Sequence, residues 1–442
     1  MDEMRVEDAT KGVNKQRGWK TAVNIIGPLF LTLVVVVLTI EVGFRLFYQL
    51  IPIEVCASDP IIGTYTCQPY FEYDKPVRIG YRYTPDFRLD GLWNPANPYL
   101  ANSDDSTAPS DRDDSFEYHF ATDDHGFPNE PAVWQDQYNI VLAGDSFTIR
   151  TAPTTWIERL EQFSGEQILA LGAPSWSTLN EAEAIREFGL DKQPKTVLLM
   201  FFEGNDIINT AQYLERKDSG LDWREYDMQD VSLYRRLLTP HFIVYLWQKL
   251  FPPEEEEAPH YRYPIVANTE AGPIETVFKD VHLLPLSADY DTLAASDEFT
   301  AVKNALISLN EEVAAQGANL VVVYIPSKEH VLWSRVWDAE DVNNVLERTV
   351  TVTLSEGDHG TLQWEPTYLS YDRFNETTQA QERLMTDFTT EAGIDFLNLT
   401  PVFWQASIEH GEMYHYGDPH WNQAGNDLAA ETIWAFLQSL EN

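Results

Sequence analysis

The chain is poor in positive charge and nearly devoid of cysteine. Of its 442 residues, 30 are lysine or arginine and 70 are aspartate or glutamate, giving a formal net charge of −40. A polyanion is repelled by nucleic acid and by anionic lipid, so neither is expected as a partner of the folded part. The mix fits a salty habitat or simply an acidic surface. The glycine-rich signature that cradles phosphate is also missing, which speaks against a nucleotide-binding domain. No internal repeat is visible. The hydrophobic fraction of 44% is that of an ordinary globular protein. The only cysteines are Cys56 and Cys67. Two thiols without nearby histidines make a poor metal site. Ten residues separate them, including Pro60 and Gly63, so the segment can turn back. In an oxidising compartment a small disulfide loop is expected.

Long apolar runs are scarce too, with one exception. Ala22 to Ile40, "AVNIIGPLFLTLVVVVLTI", carries no charge over nineteen residues. A helix of about 20 such residues spans a bilayer. The run is too long for a signal-peptide core and no small-residue cleavage site follows it, so an uncleaved anchor is expected. Lys11, Lys15, Arg17 and Lys20 precede the run, while Glu41 and Arg45 follow it. The positive-inside rule then puts the N-terminus in the cytoplasm and the bulk of the chain outside, in the periplasm or at the cell surface. A second apolar stretch, "LLTPHFIVYLWQKLF", is broken by Pro240, His241, Gln248 and Lys249, and reads as a packed helix rather than a span.

The remaining organisation follows from composition and period. Residues 1–20 are a polar tail and 21–49 the anchor. Residues 50–137 are rich in Pro, Asp, Asn and aromatics without sustained periodicity, and include an exposed acidic loop at 102–115. From residue 138 to 442 short apolar runs alternate with helical patterns, interrupted at 207–295 by what reads as an insertion. The runs "YNIVLAG", "QILALG", "TVLLMFF", "ANLVVVYIP" and "IDFLNLT" are apolar on both faces, as buried parallel strands are. Phe299, Val302, Leu306, Leu309 and Val313 mark one helical face, and Ser177 is placed to cap a helix with Glu181 one residue past the ideal box position. The fold class is therefore α/β: a flavodoxin-like three-layer sandwich with about five parallel strands, whose ligands sit at the carboxyl ends of the strands.

Four strand-end segments carry the chemistry. The first strand ends in Gly144-Asp145-Ser146, the second in Gly172, the third in "EGND" with Asn205, and "YGDPHWNQAG" with Asp418 and His420 precedes the last helix. A serine hydroxyl needs a base within hydrogen-bond reach, and His420 can serve. Asp418 can hold the other imidazole nitrogen. Attack on an ester carbonyl needs donors for the oxyanion, available from the backbone N–H groups of Ser146 and Gly172 and the amide of Asn205.

At these residues the sequence resembles the SGNH or GDSL hydrolases. Ser146, Gly172, Asn205 and His420 match the serine, glycine, asparagine and histidine blocks of that family. The resemblance covers about residues 138–205 and 318–440. It implies a serine-dependent acyl hydrolase or acyl transferase that uses neither metal nor cofactor. Two departures stand out. Glu203 occupies the position where the family's third block has glycine, and Asp418 and His420 are two apart instead of three. The Asp-x-His pair and "IPSKEHV" at 325–331 resemble polysaccharide O-acetyltransferases of the alginate type. The implied substrates are acyl groups of envelope glycans or lipids, and the implied partner of a transferase is a membrane acyltransferase supplying the donor. His415 is a rival base, and Lys328 reads as structural. The alternative is a catalytically inactive module of the same fold that binds glycan or aids envelope assembly.

Overall fold

The computed structural model describes residues 27–47, 51–56, 58–67, 70–93, 115–130, 134–251, 262–336 and 371–440. The tail at 1–20 and nearly all of the 102–115 loop fall outside them. The chain divides into two compact units. One comprises residues 1–69 and 227–256, the other 70–226 and 257–442.

The larger unit is built on the five runs read as strands. They form β5 (Ile140–Gly144), β6 (Leu169–Gly172), β7 (Thr196–Phe202), β10 (Asn319–Ile325) and β11 (Asp395–Asn398). The sheet order is β11-β10-β7-β5-β6, and every pairing is parallel. Counted along the chain this is the doubly wound order 2-1-3-4-5, with its reversal beside β5. Alternate residues serve opposite layers, because a strand's side chains alternate. Ile140, Leu142, Leu198, Met200, Val321 and Val323 join one core cluster. Val141, Ala143, Val197, Leu199, Leu320 and Val322 join the other. The helix Asp297–Ala315 buries Phe299, Val302, Leu306, Leu309 and Val313, the face read from its period. The helix Ala380–Ala392 stops at Gly393, whose φ of 65° is left-handed and favours glycine.

Where the sequence shows no period, the unit still contains sheet. β1 (Phe71–Tyr73) pairs antiparallel with β2 (Tyr81–Tyr83), and β3 (Arg88–Trp93) with β4 (Phe116–Ala121). Strands of three to six residues are too short to display an alternation against their turns. Their aromatics pack on one another, as in the stacked Tyr70–Phe87 pair at 4.8 Å. The stretch read as an insertion supplies a hairpin of β8 (Arg262–Thr269) and β9 (Gly272–Lys279).

In the smaller unit the apolar run is a helix, Gly27–Leu46, long and apolar enough to cross a membrane and almost wholly exposed. Cys56 and Cys67 are joined in a disulfide, with Cα atoms 5.9 Å apart. The helix Leu238–Leu250 packs Leu238, Phe242 and Tyr245 with Ile51, Val55, Cys56 and Ile62.

Candidate active site

Ser146 opens a single 3-10 turn, Ser146–Thr148, at the end of β5. Asp145 caps it: its carboxylate accepts the Phe147 N–H at 3.0 Å, and its carbonyl accepts the Thr148 hydroxyl at 2.6 Å. This turn has no room for side chains beside it. A Cβ on Gly172 would lie 2.0 Å from Thr148 Oγ1 and 2.7 Å from the Gly144 carbonyl oxygen. Gly172 is in register with Gly144 on the paired strands, so both glycines let the turn nest against the sheet.

His420 and Asp418 come from a loop 274 residues further along the chain. His420 Nε2 lies 2.7 Å from Ser146 Oγ, and its Nδ1 lies 2.5 Å from Asp418 Oδ1. The same Asp418 oxygen accepts the His420 backbone N–H at 2.9 Å, which explains how an Asp-x-His spacing works: the carboxylate folds back across one residue and braces both ends of the histidine. Burial resists charge on Asp418, but the His420 imidazole, with Lys279 and His415, holds its carboxyl well below the usual carboxylate range. Asp418 is buried, whereas Ser146 and His420 are partly exposed and can be reached from solvent.

Asn205 stands at the end of β7. Its Nδ2 donates to Asp145 Oδ2 at 2.8 Å, so the amide is tied to the residue that caps the serine's turn. Glu203, the odd residue of this block, is buried and points to β10. Its carboxylate accepts the Ser327 N–H at 2.7 Å, the Ser327 hydroxyl at 2.9 Å and the Tyr324 hydroxyl. His330 Nδ1 lies 2.9 Å from it. Burial opposes the charge on His330, yet Glu203 and Glu382 hold its imidazole above the usual range. Glu203 is thus a brace between neighbouring strand ends. The glycine of this block has moved to Gly204, where a Cβ would meet the Phe202 ring at 2.5 Å.

The His-Asp loop is held by a lysine that the sequence shows only as part of "IPSKEHV". Lys328 is fully buried, and its ammonium donates to the carbonyls of His415, Tyr416 and Asp418 at 3.2, 2.7 and 3.1 Å. The β9 strand adds a bond from the Val277 N–H to the Tyr416 carbonyl at 3.1 Å. His415 faces elsewhere: its Nε2 is 2.7 Å from the Thr151 carbonyl, not from the serine. A buried ammonium costs free energy unless it is paired or hydrogen-bonded, and three carbonyls at hydrogen-bond distance offset part of that cost.

A second set of acids lies beneath the serine's turn. Asp206 accepts the Thr178 hydroxyl at 2.8 Å and the Phe202 N–H at 2.6 Å. Burial pushes its carboxyl well above the usual range, and Asp145 adds to the shift. Asp145 is raised by burial against the pull of Phe147, Asn205 and His420. Glu181 is fully buried, and among the described residues neither carboxylate oxygen has a hydrogen-bond partner. Burial, then Asp206 and Asp145, push its carboxyl far up. The capping box of this helix is formed by Ser177 with Asn180, not with Glu181.

No family model matches the sequence, and no curated relative does. Among solved structures the chain is similar to a lipase/acylhydrolase from Enterococcus faecalis, with 10% identity, a TM-score of 0.29, and 68% of this chain and 95% of that one covered. A GDSL-like lipase from Bacteroides thetaiotaomicron shares 9% identity at a TM-score of 0.29, covering 68% of this chain and 88% of that one. An acetyl xylan esterase shares 11% at 0.32, covering 67% and 99%. Likenesses this remote decide nothing about chemistry, which is argued from the geometry alone. The names that recur among these structures are those of GDSL lipases, acylhydrolases and esterases, the group whose motif blocks the sequence resembles.

Proposed function

We propose that this protein is a membrane-anchored, extracytoplasmic serine acyl hydrolase or O-acyltransferase acting on acyl groups of envelope glycans or lipids. The observation that carries the reading is the hydrogen-bonded line from Ser146 Oγ through His420 to Asp418 Oδ1, at 2.7 and 2.5 Å. His420 Nε2 takes the hydroxyl proton as Ser146 Oγ bonds to the ester carbonyl carbon, and Asp418 stabilises the imidazolium. The carbonyl oxygen becomes an oxyanion. Its donors are the N–H groups of Ser146 and Gly172 and the second N–H of the Asn205 amide, the first being given to Asp145. Collapse breaks the ester bond, and the alcohol leaves with the proton from His420. Water then accepts the acyl group in a hydrolase, or a sugar hydroxyl in a transferase fed by a membrane acyltransferase. Both departures from the motif have local causes: Glu203 braces Ser327 and His330, and Asp418 folds back on His420.

The anchor reading is supported inside the smaller unit. Glu41 accepts the Thr239 N–H at 3.0 Å, Arg45 donates to the Arg236 carbonyl at 2.9 Å, and the Phe44 and Phe242 rings are 4.8 Å apart. A cleaved leader would abandon these partners. The disulfide fits an oxidising compartment.

The test is a fluorophosphonate probe on the full chain. Labelling that disappears in Ser146→Ala supports the serine mechanism; a folded wild-type protein that takes no label sinks it. Incubation with acetylated and unacetylated envelope glycan, followed by mass, then separates esterase from transferase.

A further inference from the structure

We infer that the helix Leu238–Leu250 lies in the outer interfacial layer of the bilayer, its exposed apolar face buried among headgroups and the first acyl carbons. The inference rests on the anchor reading above. Within the smaller unit this helix has two apolar sides. One packs on the disulfide segment through Leu238, Phe242 and Tyr245. The other presents Ile243, Val244, Leu246, Trp247, Leu250 and Phe251, each 43–72% exposed. At 100° per residue these six occupy an arc of about 160°, wide for a helix that faces water. Soluble surfaces carry single exposed apolar residues, and a contiguous patch marks a partner or a lipid surface.

Lipid is the occupant because of where the helix is fastened. Its first half sits on the last two turns of the Gly27–Leu46 helix, through Glu41 to Thr239 and Phe44 to Phe242. Those turns expose Leu38, Val42 and Leu46 to the same surroundings. A helix tied to the exit point of a spanning helix stays at the depth of that exit. At 13 residues it is too short to span, and long enough to lie in the plane. Trp247 and Tyr234, 63% and 58% exposed, are the side chains that favour this layer. Lys249 is on the opposite side and bears on Tyr245. The four glutamates at 254–257 follow immediately in sequence, so the attraction is apolar and needs no anionic lipid.

The test uses the full chain in phosphatidylcholine vesicles, with one nitroxide per variant. Ile243→Cys and Leu250→Cys report the apolar side, Lys249→Cys the other side, and Leu33→Cys the spanning helix. The expected result is oxygen contact exceeding contact with a nickel chelate at 243, 250 and 33, and the reverse at 249. Chelate contact at 243 and 250 with oxygen contact at 33 overturns this inference and spares the anchor. Chelate contact at 33 as well removes the anchor itself. Spin–spin broadening at 243 and 250 means that a second copy covers the face, which also overturns the inference.

Discussion

Two groups of buried acids flank Ser146 and behave in opposite ways. Asp418, in the wall, is paired on one oxygen with the backbone N–H and the Nδ1 of His420, and the loop around it is tied down by Lys328. Its carboxyl stays well below the usual range in spite of burial, and its bond to Nδ1 keeps the imidazole from turning. Glu181, in the floor, is equally buried and has no hydrogen-bond partner among the described residues, with the acids Asp206 and Asp145 near it. There burial and like charge push the carboxyl up. Burial alone therefore does not decide the direction of the shift; the sign of the neighbouring charge does, since the His420 imidazole lowers Asp418 while like charges add to the rise of Glu181 and Asp206. The wall is arranged for charge during reaction, and the floor resists it.

The largest expected effect comes from breaking the wall at its anion. Asp418→Asn should lower kcat on a chromogenic acyl ester by on the order of ten-thousand-fold, because the imidazole then settles in the wrong tautomer. The same variant sharpens the electrostatic contrast. A carboxyl whose folded pKa is depressed contributes stability that is present above its unfolded pKa near 3.9 and is lost as pH falls through the folded value. Asp418→Asn should therefore be less stable than wild type at pH 7 in urea titration, with the gap closing as pH drops well below about 4. An unchanged gap at low pH would show that the loss is packing, not charge.

Lys328→Met should give a smaller effect. It leaves the carbonyls of His415, Tyr416 and Asp418 without their shared donor, and the loop shifts. A displacement of about 1 Å costs up to roughly a hundredfold in rate, so kcat should fall by about ten- to a hundredfold with KM little changed. Equal loss in kcat and unfolding midpoint, with KM rising, would make Lys328 a core residue only. The smallest effect is in the floor. Glu181 has a raised folded pKa, so its contribution is fully present below the unfolded value near 4.3 and is lost as pH rises. Glu181→Gln should raise Tm at pH 7 by about 2–4 °C, and the gain should vanish below about pH 4. A drop in Tm at pH 7 would mean that the ionised carboxylate has found a partner.

The serine, the glycine and the asparagine were legible because each stands where an apolar run stops, and a stop can be seen in a linear string. The Asp-His pair was legible from proximity to the last helix and from its own spacing. Lys328 and Glu203 were visible as residues but not as braces, since their partners lie 87–90 and 121–127 residues away. Asn180, three residues after Ser177, completes the cap, and Glu181, one position further, is buried instead. The four short strands at 71–121 left no pattern long enough to read.

By itself the sequence determined the strands and the glycines that end two of them, because a strand buried on both faces must be apolar throughout and must break where the backbone turns. It also determined one helix able to cross a bilayer, since length and absence of charge are properties of a segment. Tertiary structure decided which histidine faces the serine, which acids keep their charge and which side of the 238–250 helix is left uncovered. Those outcomes depend on distances between residues far apart in the chain and on exclusion of water, and neither exists until the chain has folded.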